Sequence, residues 1–148
     1  MFSTADGQRI LEGDARDHLP AIADESVDFV VTSPPYWSIL RKEDHKVRQE
    51  RLEKGLAKDY GTDARDLAKI ESYDIFLQEL VKIFGECARV LKRGRYMAII
   101  VSDFRDKSRY IMFHADLARS LEPFGLEMRG LKVLYQRHKK VFPYGYPY

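Results

Sequence analysis

A chain of 148 residues, 45% of them hydrophobic, has the size of one ordinary domain with a single core. Lysine and arginine number 25 against 23 acidic residues, a formal charge of +2, so no overall field demands a polyanionic partner and any nucleic-acid surface has to be local. The apolar runs fall far short of a membrane helix, which needs roughly 20 residues, and the start, Met1-Phe2-Ser3-Thr4-Ala5-Asp6, lacks the basic and apolar stretches of a leader. The one cysteine, Cys87, and four scattered histidines offer neither a disulfide nor zinc-ligand spacing. The expectation is a cytoplasmic protein with no membrane segment and no metal.

In chain order, Gln8 to Glu12 predicts a short strand, and Gly13-Asp14 turns the chain into a brief helix over Ala15 to Ile22, capped by Asp14 and kept short by Pro20. Ser26 to Thr32 is β-branched and nearly continuous in apolar character, as in a parallel-sheet strand covered on both faces, and Pro34-Pro35 stop it. From about 38 to 71 the sequence is polar and charged, an expected insertion over a site with a solvated helix between Lys42 and Leu56. Ser72 caps a long amphipathic helix on which Phe76, Leu80, Ile83, Phe84, Cys87, Val90 and Leu91 recur at helical spacing, closed by Lys92-Arg93-Gly94.

Tyr96 to Ser102 predicts another buried strand, Asp103 to Arg109 a loop, Phe113 to Glu122 a helix and Leu126 to Gln136 a strand. Strands alternate with helices, so the class is α/β, read as one domain over 1–148. The final Arg137-His138-Lys139-Lys140 run precedes Phe142, Tyr144, Tyr146 and Tyr148, a pattern suited to phosphate contact beside stacking surfaces. Arg105, Lys107 and Arg109 lie in the loop after a central strand, partly offset by Asp103 and Asp106. His18, His45 and His114 show no partner spacing and receive no role.

The chemistry concentrates in Thr32-Ser33-Pro34-Pro35-Tyr36-Trp37. A buried strand delivers these residues to its carboxyl end, where open α/β sheets bind ligands. The prolines restrict the backbone, so carbonyls here point in nearly fixed directions. An exocyclic amine on a base is a poor nucleophile because its lone pair is delocalised into the ring. Acceptors that hold both N–H groups favour a more tetrahedral nitrogen, and the Ser33 hydroxyl and Pro34 carbonyl are suitable acceptors. Tyr36 is placed to stack on a base turned out of the duplex, a contact typically worth about 1–3 kcal/mol.

In these residues the sequence resembles the cytosine-N4 and adenine-N6 DNA methyltransferases, whose motif has the form Ser/Asp/Asn-Pro-Pro-Tyr/Phe after a hydrophobic strand. Gly13-Asp14, Asp24-Glu25-Ser26-Val27-Asp28, Leu91-Lys92-Arg93-Gly94, His114-Ala115-Asp116-Leu117-Ala118 and Phe142 to Tyr148 extend the likeness. The resemblance implies a Rossmann-like sheet, S-adenosylmethionine as cofactor and DNA as partner. It implies Ser33, Pro34, Pro35 and Tyr36 as catalytic, and Asp14, Ser33 and Asp103 as cofactor-binding. The serine form of the motif leans toward cytosine N4 over adenine N6. Cytosine-C5 chemistry fits poorly, because it needs a cysteine nucleophile and Cys87 falls on the apolar face of a helix.

The family's methyl-donor loop, approximately Asp-Pro-Phe-x-Gly-x-Gly, has no counterpart, since no Gly-x-Gly occurs. In the permuted order with the catalytic motif first, that loop comes later, so the expected sheet is incomplete at its carboxyl end. The donor site is then expected from a missing C-terminal segment or a second subunit. A non-catalytic DNA-binding subunit, a truncated inactive fragment of such an enzyme, and methylation of RNA or protein are the rival readings.

Overall fold

The apolar, β-branched run Val27–Thr32 forms a strand, β3, as its composition demands, and it pairs in parallel with Leu91–Ile99, β4. The structure is a computed structural model that describes residues 2–3, 8–37 and 65–134. The expected helix between Lys42 and Leu56 and the basic-aromatic run from Arg137 lie outside the described residues. The elements ahead of β3 are β1 (Phe2–Ser3), β2 (Arg9–Ile10) and α1 (Ala15–His18); those after it are α2 (Tyr73–Val90), β4, β5 (Phe104–Asp106), β6 (Arg109–Ile111) and α3 (Phe113–Leu121). Two compact units result, 1–101 and 102–148, where the sequence reads as one domain.

In the first unit, α2 follows its apolar stripe. Phe76, Leu80, Phe84, Cys87 and Val90 are buried, and the Ser72 hydroxyl caps the helix by accepting from the Ile75 N–H at 3.4 Å. Cys87 therefore belongs to the core, and burial pushes its thiol up from the ordinary range, with Glu86 adding to the effect.

The Lys92-Arg93-Gly94 run does not sit past a helix end. The helix stops at Val90 and β4 begins at once, because pairing with β3 captures the chain: Glu25 N–H donates to the Arg89 carbonyl at 3.1 Å and Ser26 N–H to the Val90 carbonyl at 2.9 Å. Gly94, at φ 72, lies within β4 opposite the register shift between Val27 and Phe29.

The two runs Asp24 to Asp28 and Leu91 to Gly94 are joined by their charges. Arg93 pairs with Glu25 at 2.9 Å, Lys92 with Asp28 at 2.8 Å, and Arg89 with Asp24. These are exposed pairs, worth little individually to stability, but they bracket the register of β3 against β4. Arg89 adds donors to the Leu19 carbonyl at 2.9 Å and the Ile22 carbonyl at 3.0 Å, so one guanidinium ties α2 to the turn after α1.

The expectation that both faces of β3 are covered meets a different result among the described residues. Phe29 and Val31 are more than half exposed, as is Tyr96, which pairs with Phe29 in register. Alternation along a strand puts these side chains on one face, and α2 is a single layer that contacts β4.

In the second unit, the stretch expected to be a loop is the β5–β6 hairpin, with Phe104 opposite Ile111, Arg105 opposite Tyr110 and Asp106 opposite Arg109. The rings of Phe104 and Phe113 meet edge to face at 6.0 Å, and Ile111, Phe113, Leu117 and Leu121 are buried. The strand expected from Leu126 is not formed over 126–134. Leu131, Val133 and Leu134 are 61% or more exposed there, and with no pairing strand among the described residues their β-propensity has no ladder to stabilise. The class is α/β, a partial Rossmann-like sheet. Among the described residues no helix is long and apolar enough to cross a membrane, and no cluster of potential metal ligands occurs.

Candidate functional site

The Ser33 to Trp37 segment leaves the carboxyl end of β3 under restraint at both ends. On one side Thr32 pairs with Ile99, and the Thr32 carbonyl accepts from the Ile100 N–H at 2.9 Å. On the other, Trp37 is only 8% exposed, its indole N–H donates to the Ile70 carbonyl at 2.9 Å, and its ring meets Tyr73 edge-on at 5.5 Å. Tyr73 in turn lies 6.4 Å from Phe76, a fully buried side chain of α2. Five residues are thus stretched between a sheet and a helix start, with two prolines between the anchors.

Within this bracket Pro34 is buried, Pro35 and Tyr36 are half-buried and Ser33 is exposed. Among the described residues the Ser33 hydroxyl, the Pro34 carbonyl and the Tyr36 phenol have no hydrogen-bond partner. A hydroxyl and a carbonyl on a restrained backbone, both with free lone pairs, can accept from a planar amine without first giving up an internal bond. Tyr36 has no aromatic or cation–π partner among the described residues either, and its side chain is only half-buried.

Asp14 sits differently. It caps α1 by accepting from the Arg16 N–H at 2.9 Å, and the Arg16 side chain grips both carboxylate oxygens, with Nε at 3.0 and 3.1 Å and Nη2 at 2.6 Å. The Arg16 side-chain bond is the main reason its carboxyl is held at about 2; the Arg16 backbone N–H and the charges of Arg16 and Arg65 act the same way, and partial burial opposes them. Arg16 also donates to the Arg65 carbonyl at 2.7 Å, and Arg65 pairs with Asp17 at 2.9 Å, so this corner ties residue 65 to α1. Next to it, Gly13 adopts φ 134, and a Cβ there would stand 2.8 Å from His18 Nε2. That imidazole is held 2.9 Å from the Glu12 carbonyl, a structural partner for a histidine without an assigned role.

Asp103 belongs to the second unit. Its Oδ1 accepts from the backbone N–H of His114 at 3.2 Å and from His114 Nδ1 at 2.6 Å, while Oδ2 accepts from the Tyr110 hydroxyl at 3.3 Å. The N-cap position of α3, Met112, has no side-chain cap, so Asp103 supplies a carboxylate to that helix start from outside. No hydrogen bond or ion pair joins Asp14 to Ser33, Pro34, Pro35 or Tyr36 among the described residues.

S-adenosylmethionine asks for hydroxyl and carboxylate acceptors, and the three expected residues are of that chemistry. A carboxylate offers roughly four lone-pair sites. Arg16 makes four contacts with Asp14, which leaves that side chain little to offer, whereas Asp103 keeps a free site and Ser33 keeps both of its own. Sequence reasoning missed the anchoring roles of Trp37, Arg89 and Arg65 and the His114 to Asp103 bond. Only the tryptophan carried a signal, its place at the end of the Pro-Pro-Tyr run.

Comparison with known proteins gives the family. The family model described as DNA methylase, of the N6/N4 class, matches residues 27–141. The type II methyltransferase M.Cfr9I of Citrobacter freundii is 35% identical over 97 residues, covering 66% of this chain and 26% of the relative. The type II methyltransferase M.SfiI of Streptomyces fimbriatus is 37% identical over 79 residues, 53% of this chain and 14% of the relative. A protein of Thermus thermophilus assigned as a DNA modification methylase, solved in complex with S-adenosyl-L-methionine, matches with a TM-score of 0.51 at 28% identity, over 76% of this chain and 37% of that one. The chain therefore spans well under half the length of these relatives, and by its match over 27–141 it belongs to the N6/N4 DNA methylase family.

Proposed function

We propose that this chain carries the target-base side of a DNA methyltransferase that methylates the exocyclic amine of a flipped base, cytosine N4 in preference to adenine N6. The observation that carries the reading is the free Ser33 hydroxyl and Pro34 carbonyl at the carboxyl end of β3, on a segment held at Thr32 and Trp37.

Ser33 Oγ and the Pro34 carbonyl accept the two amine N–H groups, drawing the nitrogen lone pair out of conjugation with the ring. Tyr36 stacks on the base, and Pro35 keeps the acceptors from turning away. The buried Trp37 keeps Tyr36 in register without touching the base. S-adenosylmethionine supplies the electrophilic methyl group when bound. Ser33 and Asp103 are the residues offered to that cofactor, and Asp14 contributes by fixing the Gly13-Asp14 turn. The donor site is completed by a further segment or a second subunit, and the reaction belongs to the cytoplasm. The serine in the motif is the ground for preferring cytosine.

Transfer of labelled methyl from S-adenosylmethionine to duplex oligonucleotides, with nucleoside analysis of the product, tests the proposal in the full protein or complex. N4-methylcytosine formed by the wild type and lost in Ser33→Ala is the expected result. N6-methyladenine would overturn the base assignment alone. Duplex binding without any methylation would favour the DNA-binding subunit, and methylated RNA or protein in place of DNA would overturn the substrate class.

A further inference from the structure

The β5–β6 hairpin turns through only Lys107 and Ser108, because Asp106 pairs with Arg109. Lys107 occupies the first of these positions at φ 54, while Ser108 is not among the residues of positive φ. That sign pattern belongs to a hairpin turn in which glycine is the favoured first residue, and a lysine there is strained relative to glycine. Glycine would serve the turn better, and the lysine is held there at a backbone cost.

The surroundings indicate a use for the lysine. Arg105, Lys107 and Arg109 are exposed, as is Tyr110, 55% of whose surface is open. Strand alternation puts Arg105 and Tyr110 together on the outer face, the guanidinium 5.7 Å from the ring centre, while Ile111 on the other face is 4% exposed. Lys107 and Arg109 have no ion-pair partner among the described residues. The tyrosine hydroxyl donates to Asp103 Oδ2 at 3.3 Å. Three exposed cations therefore surround one two-residue turn, Arg105 over Tyr110 on one face and Arg109, opposite Asp106, by the same alternation on the face of Ile111, in a chain whose overall charge is only +2.

We propose that this hairpin tip is a DNA-contacting element, with Lys107 and Arg109 neutralising backbone phosphates of the duplex and Arg105 on Tyr110 lining the contact. This rests on the proposal that the substrate is DNA. Charge complementarity selects an anion, and cations carried by both strands and the turn between them, rather than converging on one point, favour an extended polyanion over one compact anion. A contact of this kind adds affinity without sequence choice.

The test measures binding of the whole protein to a labelled duplex of arbitrary sequence as potassium chloride is varied. Wild type, Lys107→Gly, Arg109→Gln and the control Lys82→Ala, a lysine of α2 paired with Glu79, are compared. For every phosphate no longer neutralised, the slope of log affinity against log salt should fall by about 0.9. Lys107→Gly should show this while its melting temperature rises, because the strain is relieved as the cation leaves, and Lys82→Ala should leave the slope unchanged. Tight duplex binding with wild-type slopes in both hairpin variants would overturn the hairpin's role and leave DNA as substrate standing. A wild type that does not bind duplex, or that binds RNA in its place, would overturn the DNA reading and this inference with it.

Discussion

The indole N–H of Trp37 donates to the carbonyl of Ile70 at 2.9 Å, across 33 positions of sequence. The bond pins the far end of the Ser-Pro-Pro-Tyr turn to the backbone just before α2, whose own start is fixed by Ser72. Rigidity at the candidate site comes from this anchor as much as from the prolines.

Trp37→Phe keeps a ring but removes the donor and leaves the Ile70 carbonyl without it. A loss of about 1 kcal/mol is expected from a bond of this kind, and Trp37→Ala, which empties the pocket, should cost about 3–5 kcal/mol. Denaturant unfolding followed by circular dichroism reads both. Equal stability of wild type and Trp37→Phe would show that the bond anchors nothing.

Ser33→Ala separates function from folding. The side chain is exposed and without a partner among the described residues, so stability should change by less than about 0.5 kcal/mol. Methyl transfer should fall by about a hundredfold, the usual effect of deleting one positioned hydrogen-bonding group at a reacting centre. Wild-type turnover in the variant, measured with saturating S-adenosylmethionine, would remove Ser33 from the catalytic set.

Gly13→Ala should destabilise the corner before α1 by about 1–3 kcal/mol, because φ 134 is strained for any residue with a Cβ. Removing the nearby ring in Gly13→Ala/His18→Ala relieves the 2.8 Å clash but not the backbone strain, so only part of the loss should return. Full recovery on thermal denaturation would place the whole cost in the clash.

Stability should also depend on Asp14 at low pH. Its folded-state pKa, about 2, lies below the ordinary 3.8, so its ionised form stabilises the fold fully above the ordinary value. That contribution is lost as pH falls through the window from about 4 to about 2. Asp14→Asn should unfold more easily at neutral pH and show a flatter decline through that window. An unchanged pH profile would mean that the grip of Arg16 on Asp14 is not felt in folding.

Much of the molecule was legible in its residues because the physics there is local. The Ser72 cap and the helical spacing from Phe76 to Val90 determined α2, the β-branched run determined β3, and the turn Thr32 to Trp37 announced its family through residue types alone. The positions of Pro34 and Pro35 needed no tertiary partner to stop the strand.

Tertiary structure decided whatever depends on a distant partner. Lys92-Arg93-Gly94 has the composition of a helix end, yet parallel pairing with β3 makes it strand, because a ladder of backbone bonds outweighs a terminal signal. Phe104 to Ile111 is too charged and too short to advertise a hairpin, and it forms where two segments find each other across a two-residue turn. Leu126 to Leu134 has strand-like residues and no strand, since propensity alone forms no ladder and no strand pairs with it among the described residues. Trp37 shows the division within one side chain. Its residue type marked the motif, but only folding, which brings Ile70 to 2.9 Å, made it the anchor of the site.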